Sequence, residues 1–487
     1  MDYIRMSRGE KVTVQMIAQA IAEYCQSVQP TVRDLRSLYF DNKIHFDEYK
    51  DGLSSTTIER LSFPIARYIT TIRTNHMLGN PVKYEQAQDA ESNIEGALTE
   101  IKRVYKRQTK SKLDKELKRE CGRCGFAYEV VFITDKDGSP VVKSAMLPTE
   151  TTLVVFDDSV EMDSLFACTW YQPSAKAPYT VTVYTDSEIV EYETTTLHTF
   201  GKYKLKDEPK PHYFGRVPVT MWTNNDSCLG DYEGVAPLIH ALNGIMTDSR
   251  YDIKKNVDGL LVFLNTKLAG ASVEEKAKIR RAIKDLGVLE LNDDEQNPSA
   301  KADVKTLASP LNYAGVDVYV DRVWRSIFTL AGVPDPLRTE FFTSLSGVAL
   351  KMQLFMGLKP FAQDSENNIE YALKRRLKMY SVGMSTQQID VADVDIVFTY
   401  TEPSNDLEVA QIVTYLAGRG VATTETLSRQ LSFVEDAVRE VEEAKAEMAA
   451  NTNSDILTQL SLFETSPTTS TTNTTPAQQA SAPTMES

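Results

Sequence analysis

The chain has 487 residues, 42% hydrophobic and 25% charged, the balance of a soluble globular protein long enough for two or three domains. Its formal net charge of −15 argues against a protein whose main task is to grip nucleic acid through phosphate contacts, but not against one past which nucleic acid slides. Five cysteines, sparse and odd in number, argue against a disulfide framework and for a reducing compartment.

The N-terminal MDYIRMSRGEKVT has no apolar h-region, so no secretory signal is expected. The longest apolar run, LLVFL at 260–264, is far short of the roughly 20 residues of a membrane span, and the expectation is a soluble intracellular protein. Apolar residues at 14, 17, 18, 21 and 25 predict a first helix over 13–27 with Thr13 as N-cap. Pro30 opens a second, shorter helix that ends near Tyr39. A polar loop with turn chemistry at Asp51-Gly52 leads to a helix expected from about Thr57 to Leu78, closed by Gly79-Asn80-Pro81. The next helical stretch, 91–120, turns basic: residues 101–120 hold nine Lys or Arg against three Asp or Glu. A solvated helix face or a subunit contact accounts for that run more simply than a phosphate site does.

At Gly125 the period switches to two. FAYEVVFITDKDGSPVVKSAML reads as a hairpin turning at Asp137-Gly138, and TTLVVFDD, FACTWYQ, YTVTVYT and EIVEYET read as further short strands. The apolar HYFGRVPVTMWTNN closes a mostly antiparallel region over 125–225 flanked by helices, an α+β layout.

Helix returns at 235. Leu238, Leu242, Ile245, Ile253 and Val257 form one stripe, while Asp248, Asp252 and Asn256 step by four along another. Carried to about Leu260, this helix of roughly 25 residues would span about 37 Å. A mixed module over 263–310 follows, with a helix VEEKAKIRRAIKDLG, a strand VLELN and a strand ADVKTLAS; its eight basic and eight acidic residues balance. A second helix carries Val316, Val320, Val323, Ile327 and Leu330 on one face and an Asp321–Arg325 pair off it, and Gly332 and Pro334 stop it. A long helix over about 346–382 contains Pro360, which predicts a kink. The strand VDIVFTY at 394–400 and a capping-box-like Asn405–Glu408 start lead into helices over 405–450, the last of them acidic. From Asn451 the composition collapses to Ser, Thr, Asn, Gln, Ala and Pro, which predicts disorder.

No motif carries chemistry. Cys121-x-x-Cys124 lacks the second ligand pair that a zinc site requires and reads as two ordinary cysteines at a helix end. HExxH, P-loop, GxGxxG and GxSxG patterns are missing. Asp157-Asp158, Asp293-Asp294 and the pair Asp393 and Asp395 fall at turns and strand ends, where Asp serves local hydrogen bonding; as magnesium ligands they would support the alternative reading, a metal-dependent DNA-processing enzyme such as a nuclease. Lys374, Arg375, Arg376 and Lys378 read as another solvated basic face.

The order of elements resembles that of the portal, or head-to-tail connector, proteins of tailed double-stranded-DNA bacteriophages, in the long-tailed branch. The resemblance rests on NHMLGNPVKY at 75–84, CGFAYEVVFITDKDGSP at 124–140 with LPTETTLVVFDD at 147–158, and HYFGRVPVTMWTNNDSCLGDYEGVAPLIHALNGIMTDSRYDIKKNVDGLLV at 212–262. FTLAGVPDP at 328–336 with LSGVALKMQL following, and FTYTEPSNDLEVAQIV at 398–413, complete it; together these stretches are spread across residues 30–430.

The resemblance implies the portal fold, assembled as a cyclic dodecameric ring at one capsid vertex, with a central channel for DNA packaging and ejection. It implies a wing over 1–235, a stem of helices at 236–262 and 311–333, an α/β clip at 263–310 and a tunnel loop at 334–347. A long kinked helix and wing strand at 348–403 and a helical crown at 404–450 complete the plan, with no role for the 451–487 tail. The residues it points to are Arg338, Thr339, Glu340, Phe341, Phe342, Thr343 and Ser344 facing DNA in the loop; Asp248, Asp252, Lys255 and Asn256 lining the channel; and Lys278, Arg280, Arg281 and Lys284 as clip contacts. Implied partners are further copies of the chain, sliding double-stranded DNA, the large terminase, a head completion or adaptor protein, and the major capsid and scaffolding proteins. No membrane, cofactor, metal or catalytic residue is expected. The implied location is the virion, after assembly in the host bacterial cytoplasm.

Overall fold

The computed structural model describes residues 3–8, 11–40, 46–51, 54–87, 90, 92–136, 139–258, 260–264, 272–274, 278, 303–307, 313–337, 347–384, 389–401, 406–420, 422–428 and 440–448. It is a mixed α/β chain that divides into two units, Met1–Glu402 and Pro403–Ser487.

Strand β1 (Arg5–Met6) precedes α1 (Val14–Ser27), whose N-cap Thr13 accepts a hydrogen bond from the Met16 amide at 3.3 Å, as its position ahead of the apolar repeat predicts. Helix α2 (Gln29–Tyr39) carries Pro30 in its first turn. Strands β2 (Phe46–Asp51) and β3 (Ser54–Glu59) pair as a hairpin, so the chain expected to be helical from Thr57 is strand to Glu59. Helix α3 (Ile65–Leu78) begins only after Pro64, because a proline fits the start of a helix and breaks its interior.

After β4 (Lys83–Gln86), the helical stretch expected over 91–120 is two helices, α4 (Glu95–Arg107) and α5 (Lys110–Cys124). Thr109, at φ 52°, turns the chain between them. Gly125, at φ 85°, closes α5 in a backbone conformation that side chains oppose, and an added Cβ there would lie 1.8 Å from the Cys228 carbonyl oxygen.

Alternating sequence then gives β5 (Phe126–Lys136), β6 (Ser139–Leu147), β7 (Thr152–Asp157), β8 (Ser164–Tyr171), β9 (Tyr179–Tyr184) and β10 (Glu188–Thr194). Short strands β11 (Lys204–Leu205) and β12 (Lys210–Pro211) and then β13 (Val219–Thr223) follow. The register Lys136↔Ser139 pairs β5 with β6 as the expected hairpin, and the Asp137-Gly138 turn itself lies outside the described residues. Seven strands form one sheet in the order β1-β7-β8-β9-β10-β11, with β12 also on β10; only β1 runs parallel to its neighbour. A separate sheet runs β13-β5-β6. No local pattern distinguishes these sheets, since apart from β1 both are alternating antiparallel strands.

Helix α6 (Ala236–Asp258) is followed by β14 (Leu260–Leu264), which pairs antiparallel with β15 (Asp303–Leu307). The expected helix therefore closes at Asp258 and spans about 35 Å; the LLVFL run is a strand. Helix α7 (Tyr313–Ala331) and the long α8 (Gly347–Gly383), with Pro360 inside it, return to the sheets, and β16 (Val394–Val397) pairs with β4. The second unit holds α9 (Asp406–Arg419), α10 (Thr424–Ser428) and a helical stretch at 440–448. The tail at 451–487 lies outside the described residues.

Three cores organise the first unit. One joins α1 and α2 to the seven-stranded sheet, through Ile21, Tyr24, Val155, Phe166 and Val181. The second joins α4, α5 and α8 to β5 and β13, through Ile101, Leu117, Trp222, Leu373 and Leu377. The third joins α2 and α3 to α6 and α7, through Leu35, Ile69, Ile239, Leu242, Ile327 and Phe328.

Candidate functional site

The candidate site is the α6–α7 pair together with the chain that leaves α7. On α6 the buried positions are Ile239, Leu242, Asn243 and Thr247. Asn243 and Thr247 face inward because they are used: the Asn243 amide oxygen accepts from the Phe63 amide at 3.1 Å, and the Thr247 hydroxyl accepts from the Leu61 amide at 3.0 Å. The chain approaching α3 is thus fastened to α6 by two side chains, and Arg250 adds bonds to the Glu59 carbonyl and carboxylate. Of the apolar stripe expected here, Ile253 is 47% exposed, because α7 covers only the first half of it. On the opposite side of the helix Asp248 is exposed and Asp252 half-buried.

Helix α7 is rotated from its expected face. Val323, Ile327, Phe328 and Ala331 are buried, with Val320 and Trp324 packed on the same core, while Leu330, expected inside, is 62% exposed. The heptad-like spacing of valines drew the stripe through Leu330; Trp324 and Phe328, which bury more area, set the true face. Val318 and Tyr319 are also exposed, so two flanks of α7 carry apolar surface without cover in the single chain. The Asp321–Arg325 pair forms at 2.7 Å with both partners more than half exposed, which makes it a weak contributor.

The chain leaving α7 is held at Val333, Pro334, Asp335 and Leu337. Gly332, at φ 62°, gives the left-handed turn that ends the helix, with Val333 N–H bonding back to the Phe328 carbonyl at 3.2 Å. Tyr68 of α3 donates its hydroxyl to the Pro334 carbonyl at 3.0 Å; burial, and then the Asp335 carboxylate, raise that hydroxyl above its ordinary pKa and keep it a donor. Asp335 accepts from the Trp324 indole at 2.9 Å and from the Leu337 amide at 3.0 Å. Asp335 is thus committed to positioning its own segment. A groove of about 540 Å³ opens beside it, lined by Phe63, Leu242, Met246, Trp324 and Leu337 with acidic residues at Asp317 and Asp321.

The other sequence-derived residues fall as follows. Arg338, Thr339, Glu340, Phe341, Phe342, Thr343 and Ser344 lie outside the described residues, as do Arg280, Arg281 and Lys284; Lys278 is helical and exposed. Lys255 and Asn256 continue α6 below Asp252. The basic stretches are not uniformly solvated. Lys110 and Lys118 of α5 and Arg376 of α8 are buried. Lys118 donates to the Asn224 amide oxygen at 2.5 Å, and Arg376 to Asp114 at 2.6 Å and Glu129 at 2.7 Å. A solvated face was the expectation, because charge alone does not reveal which lysine has a carboxylate or amide waiting across the core.

Of the acidic pairs, Asp157 is engaged locally, as expected, while Asp158 and Asp393 are engaged by residues distant in sequence. Asp157 accepts from the Ser159 hydroxyl at 2.6 Å and from the Ser159 and Asp163 amides; those bonds, the hydroxyl first, lower its carboxyl pKa. Asp158 accepts from Ser7, and Asp393 from Ser92 at 2.6 Å; Asp293 and Asp294 lie outside the described residues. Cys121 and Cys124 are free thiols in the core, raised in pKa by burial. Among the described residues no group of three or more His, Cys, Asp or Glu is placed to hold a metal, and no helix is long and apolar enough to cross a membrane.

A family model described as phage portal protein, SPP1 Gp6-like, matches residues 30–454. The chain belongs to this phage portal protein family. It is similar to the portal protein of Bacillus phage SPP1, at 22% identity over 461 residues, which covers 89% of this chain and 86% of that relative. Membership assigns this portal-family chain a phage portal role, and the match spans both the α6–α7 pair and the segment after it.

Proposed function

We propose that this chain forms a dodecameric ring at one capsid vertex and serves as the conduit through which double-stranded DNA is packaged and later ejected. The observation that carries the reading is the family match across 30–454, which includes every helix of the candidate site. On this reading α6 and α7 are the stem, the 263–310 module is the clip and 334–347 is the tunnel loop. The sheets and the helices before α6, with β16, form the wing, and 404–450 forms the crown.

The electrostatics of α6 support it. A channel wall that neutralised phosphates would bind DNA with a salt-dependent affinity that grows with each contact, and that affinity is drag. Asp248 and Asp252 turn away from the core, where they would repel rather than hold a passing phosphate backbone. The uncovered apolar flanks of α7 suit a cyclic assembly, in which each patch meets a different patch on the next copy. The clip would dock the large terminase and then head completion or adaptor proteins, and the wing and crown would meet the capsid and scaffolding proteins within the virion, after assembly in the host bacterial cytoplasm.

Two measurements test this. Twelve chains of 54.6 kDa give a particle of about 650 kDa, visible by mass photometry or negative-stain microscopy. A stable monomer that cleaves DNA with magnesium would overturn the proposal in favour of a metal-dependent nuclease. Replacing Phe341 and Phe342 by Ala should leave ring assembly intact and reduce DNA packaging or retention; loss of the ring instead would make the loop a subunit contact.

A further inference from the structure

Arg73, in the middle of α3, is a feature that the portal reading does not use. It is 9% exposed and contacts three separate parts of the chain. Nη1 faces the Asp231 carboxylate at 3.3 Å, Nη2 donates to the carbonyl of Ala331 at the end of α7, and the guanidinium carbon Cζ lies over the Phe361 ring of α8, 3.7 Å from its centre. The Ala331 carbonyl is one of the groups a helix end leaves without an internal partner, and a cation there also complements the helix dipole.

Beside that contact the backbones of α7 and α8 touch through two glycines. A Cβ added to Gly357 would lie 2.7 Å from the Gly332 carbonyl oxygen, and one added to Gly332 would lie 2.4 Å from the Phe361 ring. The rear of the contact is braced as well. Asp231 also accepts from Asn224 at 3.1 Å, Asn224 accepts from Lys118, and Lys118 reaches Ser365 of α8 at 3.2 Å.

We propose that Arg73 is a positioning residue that clasps the outgoing end of α7 to α8 and so fixes the direction in which residues 333–337 leave the core. The proposal rests on the portal reading only for its consequence: that segment leads into the loop assigned to DNA. Arginine is required rather than lysine, because only the planar guanidinium stacks on Phe361 while it donates to both Ala331 and Asp231. A residue that merely neutralised Asp231 would be replaceable by lysine.

The test uses the full-length ring with Cys25→Ser, Leu337→Cys and a nitroxide label at 337. Leu337 is 68% exposed, and the remaining cysteines are at most 4% exposed. Arg73→Lys is expected to preserve ring mass and to shift the ratio of immobile to mobile label by roughly tenfold, the effect of one lost hydrogen bond from a charged donor. Gly357→Ala, which separates the two backbones by a different route, is expected to shift it the same way. An unchanged label spectrum in both variants would overturn the clasp. In phage carrying Arg73→Lys, fewer DNA-filled heads should form. If the label loosens and packaging does not change, the clasp stands and the assignment of the following loop to DNA falls.

Discussion

Arg376 of α8, with no exposed surface, donates through Nε to the carboxylate of Glu129 on β5 at 2.7 Å. Its Nη1 reaches Asp114 of α5 at 2.6 Å, and the second oxygen of Glu129 accepts from the Trp222 indole at 3.0 Å. One guanidinium therefore ties the long helix α8 to a helix and two strands more than 150 residues upstream. Removing one partner of such a network leaves an uncompensated charge in the core. Arg376→Met should lower unfolding free energy by about 3–5 kcal/mol, read by urea denaturation. The triple variant Asp114→Asn, Glu129→Gln, Arg376→Met should recover at least half of the loss, because the stranded charges are gone; no recovery would mean that packing around the guanidinium dominates.

Lys110 sits at the rim of that network, donating to the Ser144 hydroxyl at 2.6 Å. Burial, and then the nearby Arg376, lower its ammonium pKa from 10.5 to about 8. A depressed lysine binds its proton less well in the folded state than in the unfolded state. Its contribution to stability is therefore fully present above pH 10.5 and is lost as pH falls through 8. The difference in stability between the wild type and Lys110→Met should rise between pH 8 and 10.5 and stay flat below that window. Thermal melts of both proteins across the range measure it, and effects of the buried tyrosines cancel in the difference.

The exposed flanks of α7 separate folding from assembly. Val318 is 60% and Leu330 62% exposed in the single chain, so charges there should cost the fold no more than about 0.5 kcal/mol. If these flanks meet a neighbouring copy, Val318→Glu with Leu330→Glu should abolish the large particle while the monomer melts within about 2 °C of a wild-type monomer. A ring that persists would move the subunit contact elsewhere.

Much of the architecture is written locally. The Thr13 cap, the Pro30 helix start, the β5–β6 hairpin and the left-handed Gly332 each follow from backbone chemistry that acts within a few residues. The portal resemblance was likewise legible, because it lies in the order of elements, and order survives where individual side chains do not.

What the sequence could not decide was partnership across distance. LLVFL is apolar on both faces and fits a helix or a strand until β15 arrives from about 40 residues downstream to pair with it. Arg376, Lys118 and Arg73 look like any surface cation, and Leu330 looks like core. Which charge is buried, and which apolar residue is left outside, depends on the groups brought opposite it, and only the tertiary structure supplies those.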